Sequence, residues 1–110
     1  DNEERRRRAE VWRQAGKERL RSARYSLDGG FYRDAISRAY YAVFYVATAA
    51  CVLHGDANQF PQGWNNPTHE QLPDLILANG DLSLAIRQRV RPLIRTLRAS
   101  RETADYRVRE

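Results

Sequence analysis

The chain has 110 residues, of which 42% are hydrophobic, and its 19 basic and 14 acidic residues give a formal net charge of +5. This length and composition favour one globular domain over residues 1–110 and argue against wholesale disorder. The single cysteine, Cys51, excludes an internal disulfide framework and fits a cytoplasmic protein. The longest apolar run, residues 39–53, is too short to span a bilayer, so we expect no membrane association.

Four segments predict helices, and none shows the alternation typical of a strand. The first spans about residues 3–27 and ends at Asp28-Gly29-Gly30, because glycine adopts the left-handed conformation that terminates helices. So short a turn implies that the second helix runs antiparallel beside the first. An apolar stripe on the first helix comprises Trp12, Gly16, Leu20, Ala23 and Leu27.

The second helix, at about residues 32–53, is apolar on two sides, which predicts a central position with neighbours on both. A third stripe on this helix is polar. Its members, at steps of four and three, are Asp34, Arg38, Tyr41, Tyr45 and Thr48.

A loop rich in Gly, Asn and Pro at residues 55–67 precedes the third helix. Thr68-x-x-Gln71 fits a capping box, whereas Pro73 is poorly tolerated beyond the first turn. The helix therefore begins either at Thr68, with a distorted turn, or at Pro73. The fourth helix is predicted to begin at Asp81 and to kink at Pro92. Its inward stripe is Ile86, Val90, Leu93, Ile94 and Leu97, and it then continues into Arg101, Ala104 and Asp105.

Three segments in order, "RDAISRAYYAVFYVATAAC", "PTHEQL" and "RETADY", resemble the HEPN domain family, in particular small prokaryotic members with R-x-YYA, TH and R-x-x-x-DY motifs. The resemblance implies an all-α, up-and-down bundle of four to five helices that usually forms a homodimer. It also implies binding or metal-free cleavage of RNA in a toxin–antitoxin or related defence system, often with a small nucleotidyltransferase as antitoxin. The family's ribonuclease signature, an Arg and a His separated by four to six residues, is absent here.

The resemblance carries over to individual positions of this chain. His69 and Arg101 match candidate catalytic residues, and Arg38, Tyr41, Asp105 and Tyr106 match candidate RNA- or nucleotide-binding residues. Arg38 and Arg101 would clamp a phosphate, with Asp105 orienting Arg101 from one helical turn away. His69 would act as general acid or base, and the tyrosines would donate hydrogen bonds or stack on a base. We predict neither a cofactor nor a metal site, since the two histidines, fifteen residues apart, lack ligand spacing.

Each candidate also has an ordinary structural role. Arg38 could pair with Asp34, and Arg101 could form an ion pair with Asp105. His69, which lies next to the start of the third helix, could cap that helix or serve as a packing residue. Tyr41 and Tyr45 could be core or dimer contacts.

Arg38 and Arg101 meet if the second and fourth helices run antiparallel, whereas parallel helices need a kink, a short extra helix or a dimer to bring them together. A non-catalytic dimerisation or docking module for a nucleotidyltransferase or larger effector is the main alternative function. DNA binding through the basic fourth helix ranks last.

Overall fold

The computed structural model describes residues 2–54, 68–78 and 83–109, and the side chains of residues 54, 77–78 and 104–109 lie outside that description. Within these parts the protein is an all-α bundle of α1 (Asn2–Asp28), α2 (Tyr32–His54), α3 (Leu72–Ala78) and α4 (Leu84–Arg109). The first two helices agree with their predicted bounds to within one residue. The predicted loop at 55–67 lies outside the described residues.

The turn between α1 and α2 forms through glycine, as predicted. Gly30 has a φ of 79°, a conformation that side chains other than glycine rarely adopt. The amide of Phe31 donates to the carbonyl of Ser26 at 2.8 Å, and that of Gly30 to the carbonyl of Leu27 at 3.1 Å. These two bonds form a Schellman motif that ends α1 and turns the chain back along it.

Small residues at seven-residue spacing let α1 and α2 pack closely. Seven residues are about two helical turns, so each row stays on one side of its helix. The buried rows are Ala9, Gly16 and Ala23 on α1 and Ala35, Ala42 and Ala49 on α2. The predicted stripe on α1 was therefore only partly right: Leu20 and Leu27 are each 54% exposed.

The capping box before α3 is confirmed. The hydroxyl of Thr68 accepts the amide of Gln71, and the side chain of Gln71 accepts the amide of Thr68, both at 3.1 Å. The α-helix itself begins at Leu72, so Pro73 lies in its first turn, where a missing N–H is tolerated. Of the two predicted starting points, Thr68 lies before the observed first residue, Leu72, and Pro73 lies directly after it.

Helix α4 begins at Leu84, because the hydroxyl of Ser83 accepts the amide of Ile86 at 3.2 Å and caps it. The predicted cap, Asp81, lies outside the described residues. The helix continues through Pro92 to Arg109, and the kink at Pro92 stays a prediction.

Helices α2 and α4 run antiparallel, which decides between the orientations considered from the sequence. The beginning of α2 and the end of α4 line one cleft, with Ile36 opposite Thr103, whereas Ala50 and Ile86 line another at the far end. Helix α2 thus lies between α1 and α4. The core that joins α2, α3 and α4 consists of Tyr40, Phe44, Ala47, Cys51, Leu72, Ile76 and Ile94.

Two features of α2 fit its central position. Burial raises the pKa of the Cys51 thiol to about 11, so this cysteine acts as a small hydrophobic side chain. Among the described helices, the segment Tyr32–Leu53 has the length and composition of a membrane span, although the sequence run at 39–53 had argued otherwise. This is weak evidence for a membrane, since the core helix of a bundle has the same properties.

Candidate functional site

A cluster of side chains from three parts of the chain lies where α4 crosses the aromatic side of α2. We call it the arginine–aromatic cluster; its members are Tyr40, Tyr41, Phe44, His69 and Arg101. The capping box fixes the turn that carries the imidazole, which packs on α2. The imidazole stacks on the ring of Phe44 with 4.2 Å between centroids and meets the ring of Tyr41 edge-on at 5.9 Å.

The hydroxyl of Tyr40 forms a hydrogen bond with Nδ1 of His69. Tyr40 is completely buried, and this burial raises the pKa of its hydroxyl, so the group is neutral. A neutral phenol can donate to Nδ1 or accept from it, depending on the imidazole tautomer. Either way Nδ1 is occupied, and Nε2 is the nitrogen that can act on a ligand.

Arg101 reaches from α4 over the rings of α2. The carbon at the centre of its guanidinium lies 5.1 Å from the ring centroid of Tyr41 and 5.7 Å from that of Tyr40. A cation–π contact of this kind holds the guanidinium beside the rings of Tyr40 and Tyr41. The contact therefore orients a group suited to binding a phosphate.

Positive charge near His69 favours its neutral form. Burial lowers the pKa of His69 below its ordinary value, and the nearby Arg101 and Arg98 lower it further. Arg98 is itself held by Glu102, with 3.3 Å between charged atoms, and by Glu70, at 3.9 Å. The imidazole is thus neutral near pH 7, as a general base must be.

Comparison with known proteins assigns this arrangement to a family. The model of the HEPN domain family matches residues 9–110. The chain belongs to the HEPN domain family. No curated protein and no solved structure gave a significant match.

The structure brings together three of the residues that the sequence had selected in this HEPN domain: Tyr41, His69 and Arg101. Arg38 points elsewhere, because its guanidinium donates to the hydroxyl of Ser22 on α1 rather than pairing with Asp34. Among the described side chains, no hydrogen bond, ion pair or ring contact joins Arg38 to the cluster. The side chains of Asp105 and Tyr106 lie outside the described residues.

Sequence reasoning missed four residues that shape this part of the HEPN domain. Tyr40 and Phe44 had been placed on an apolar side of α2 without a role, and their one-turn spacing was the only available signal. Arg98 had not been considered. Arg19 on α1 lies about as close to the cluster as Arg101, at 6.0 Å from the ring centroid of Tyr41.

Two further observations concern the surroundings of the cluster. Arg19 also lies 5.9 Å from the ring centroid of Tyr45, whose ring is 5.4 Å from that of Trp12. The aromatic side of α2 therefore continues onto α1. Within the described parts of the chain, no three His, Cys, Asp or Glu side chains are grouped as metal ligands would be.

Proposed function

We propose that this HEPN domain binds RNA or a nucleotide at the arginine–aromatic cluster and that His69 cleaves the bound RNA without a metal. The observation that carries the proposal is a guanidinium held over two tyrosine rings beside a neutral imidazole. Arginine binds phosphate through paired hydrogen bonds, and aromatic rings stack on unpaired bases. In the cluster Arg101 is the candidate for the first kind of contact and the half-buried ring of Tyr41 for the second, because Tyr40 and Phe44 are buried.

The proposed cleavage uses the 2′-hydroxyl of RNA as nucleophile. Nδ1–H of His69 donates to the hydroxyl oxygen of Tyr40, and Nε2 removes the proton of the 2′-hydroxyl. The 2′-oxygen then bonds to the adjacent phosphorus while the bond to the 5′-oxygen breaks, and that oxygen takes a proton from water. Arg101 stabilises the charge on the phosphate, and Arg19 supports binding from α1.

Binding of a labelled RNA hairpin, followed by fluorescence anisotropy, tests the first half of this proposal. Arg101→Ala should weaken binding about tenfold, since a charge-assisted bidentate contact is lost. Arg21→Ala is the matched control, because Arg21 is exposed on α1 away from the cluster. An equal loss in both variants would mean that only net charge matters and would refute a site at Arg101.

Cleavage of the same RNA in EDTA tests the second half. His69→Gln should abolish cleavage and leave binding within about twofold, since glutamine keeps a polar group but cannot act as a base. Cleavage that persists in His69→Gln, or a wild-type protein that binds without cleaving, would refute the catalytic role and leave the binding role intact.

A non-catalytic dimerisation module is the second candidate, and the missing Arg-to-His signature favours it. The aromatic row of Trp12, Tyr45 and Tyr41, joined by ring contacts, would form part of the homodimer interface. Sedimentation of Tyr45→Glu tests this idea. A monomeric variant with a dimeric wild type supports it, whereas an unchanged dimer places the interface elsewhere.

We further propose that the protein acts in the cytoplasm in a toxin–antitoxin or related defence system, with a small nucleotidyltransferase as partner. Membership of the HEPN family supports this context. Induced expression of the chain should slow bacterial growth, and Arg101→Ala should restore it. Growth arrest that persists in Arg101→Ala at equal protein level would separate toxicity from the cluster.

A further inference from the structure

A second side of α2 carries an open apolar groove between α1 and α4. Its volume is about 400 Å³, and its lining is almost entirely hydrocarbon. Four large side chains along it are about half exposed: Leu20 at 54%, Val46 at 46%, Ile86 at 50% and Leu93 at 47%. The prediction that Ile86 and Leu93 belong to the core was therefore wrong, because they line this groove instead.

Helices α1, α2 and α4 form most of the groove, and Ile76 of α3 completes its lining. Gly16 lets α1 approach α2 closely at its floor, and Val43 and Ala50 form its base on α2. Contiguous exposed aliphatic side chains at one place on a small protein mark a surface for another molecule. A cleft between helices that is lined by small and aliphatic residues is suited to an amphipathic helix.

The borders of the groove are basic. Lys17 lines it on the α1 side, and Arg6 and Arg13 line the adjoining cleft, which shares Val46 and Ala50 with the groove. Among the described lining residues of that cleft, Glu10 is the acidic one; it pairs with Arg13 at 2.8 Å, so these two charges offset each other and Arg6 supplies the positive charge there. On α4, the exposed Arg89 lies one turn from both Ile86 and Leu93.

From this charge pattern we infer that the groove binds an amphipathic helix of a partner protein, with an aliphatic face and acidic residues on both flanks. The aliphatic face would cover Leu20, Val46 and Leu93, and the acidic flanks would meet Lys17 and Arg89. A second copy of the chain fits less well, because it would bring the same basic borders against each other. The groove shares no lining residue with the arginine–aromatic cluster, so this inference does not depend on RNA binding.

The test uses two synthetic helical peptides of about 18 residues, or five turns, that share a leucine and alanine face. One carries glutamate on both flanks and the other carries lysine. Fluorescence anisotropy with the full chain should show that the acidic peptide binds about tenfold more tightly, since two or more ion pairs change sign. This preference should shrink as salt is raised from about 0.05 to 0.3 M. Equal binding of both peptides, or no binding of either, would overturn the inference.

Variants locate the binding site. Leu93→Glu should abolish binding of the acidic peptide, whereas Val11→Glu should not, because Val11 is equally apolar and 69% exposed but lies on α1 outside the groove. The double variant Lys17→Glu, Arg89→Glu should reverse the preference between the peptides while circular dichroism shows an intact fold. Loss of binding in Val11→Glu, or no reversal in the double variant, would contradict the assignment.

Three other occupants give distinct results, each of which overturns the inference. A dimer that Leu93→Glu converts to a monomer in sedimentation means that a second copy fills the groove. If the protein sediments with anionic phospholipid vesicles and Leu93→Glu prevents this, a membrane covers the groove. If the acidic peptide binds only to the double variant Phe60→Ala, Trp64→Ala, the chain's own segment at 55–67 occupies the groove.

Discussion

The two sides of α2 differ in what covers them, although the same helices flank both. On one side the turn at Thr68 and the side chain of Arg101 lie over aromatic rings and form the arginine–aromatic cluster. On the other side aliphatic residues of all three helices remain about half exposed and form the groove. One central helix can thus present a polar site on one side and an apolar surface on another.

The difference begins in the placement of polar atoms along α2. Tyr40 and Tyr41 lie in the cluster, and the hydroxyl of Tyr40 is satisfied there by His69. Val43 and Val46 on the groove side need no partner. The short α3 is held against α2 because Leu72 and Ile76, which follow the capped turn, are almost completely buried. The capped turn at Thr68 thus carries the imidazole that covers the aromatic side, while Ile76 of the following helix also lines the groove.

Gly16→Val should have the largest effect and should disturb both sides. A Cβ at this position would lie 2.6 Å from Cγ2 of Val46 and 3.0 Å from the carbonyl oxygen of Ala42, so α1 would be pushed away from α2. Overpacking of this kind costs about 2 kcal/mol of the free energy of unfolding. Urea denaturation measures the loss.

The control for Gly16→Val is Glu18→Val, at an exposed position of the same helix. It should change the free energy of unfolding by less than about 0.5 kcal/mol. Equal stability of Gly16→Val and wild type would show that α1 does not depend on close contact at Gly16, and the shape of the groove would need another explanation.

Tyr40→Phe should affect the cluster and leave the groove unchanged. The variant keeps the ring but removes the hydroxyl that bonds to His69, which should cost about 1 kcal/mol of the free energy of unfolding. Cleavage of RNA should fall more than binding, because Nδ1 loses the group that fixes its tautomer. Nitrogen NMR of the imidazole reports the tautomer directly.

Tyr25→Phe is the matched control, because Tyr25 is 84% exposed and its hydroxyl faces solvent. If Tyr40→Phe leaves the tautomer of His69 and the cleavage rate unchanged, Tyr40 is a packing residue only. Binding of the acidic peptide should be the same in both variants, since neither position lines the groove.

The sequence was most informative where local chemistry determines structure. The glycine turn at Gly30 and the capping box at Thr68 were predicted because each is specified by a few neighbouring residues. The family resemblance also gave the all-α bundle and directed attention to His69 and Arg101. These features need no knowledge of distant contacts.

The rest depended on how the helices pack. Periodicity assigned Leu20, Ile86 and Leu93 to the core, but packing along the small residues of α1 left Leu20 exposed. Arg38 and Tyr41 share one stripe of α2, and only the positions of α1 and α4 show that Arg38 turns to Ser22 while Tyr41 meets Arg101. Residues a few positions apart on one stripe can therefore serve different neighbours.

The pH dependence of stability should distinguish the two sides further. The pKa of His69 lies below 6.5 in the folded chain and returns to its ordinary value on unfolding. Between these two values the unfolded chain binds more protons, so the free energy of unfolding should decrease as the pH falls below about 6.5. His69→Gln should reduce this decrease.

Proton NMR of the imidazole provides the direct measurement. The pKa of His69 should rise towards its ordinary value in Arg101→Ala, although not completely, because burial is the larger cause. A wild-type pKa at or above 6.5 would contradict the packed position of His69. Peptide binding at the groove should show no corresponding pH dependence, since none of the described residues that line it is a histidine.

Asp74→Asn should have the smallest effect and tests what holds the covering segment in place. Asp74 lies between Arg91 and Arg95 of α4, with 3.2 and 3.6 Å between charged atoms, and its side chain is 66% exposed. Exposed ion pairs contribute less than about 1 kcal/mol, whereas Leu72 and Ile76 anchor the same segment by burial. We therefore expect RNA binding within about twofold of wild type and a small loss of stability that disappears at high salt. If Asp74→Asn weakens RNA binding as much as Arg101→Ala does, charge pairing and not apolar packing positions His69 on α2.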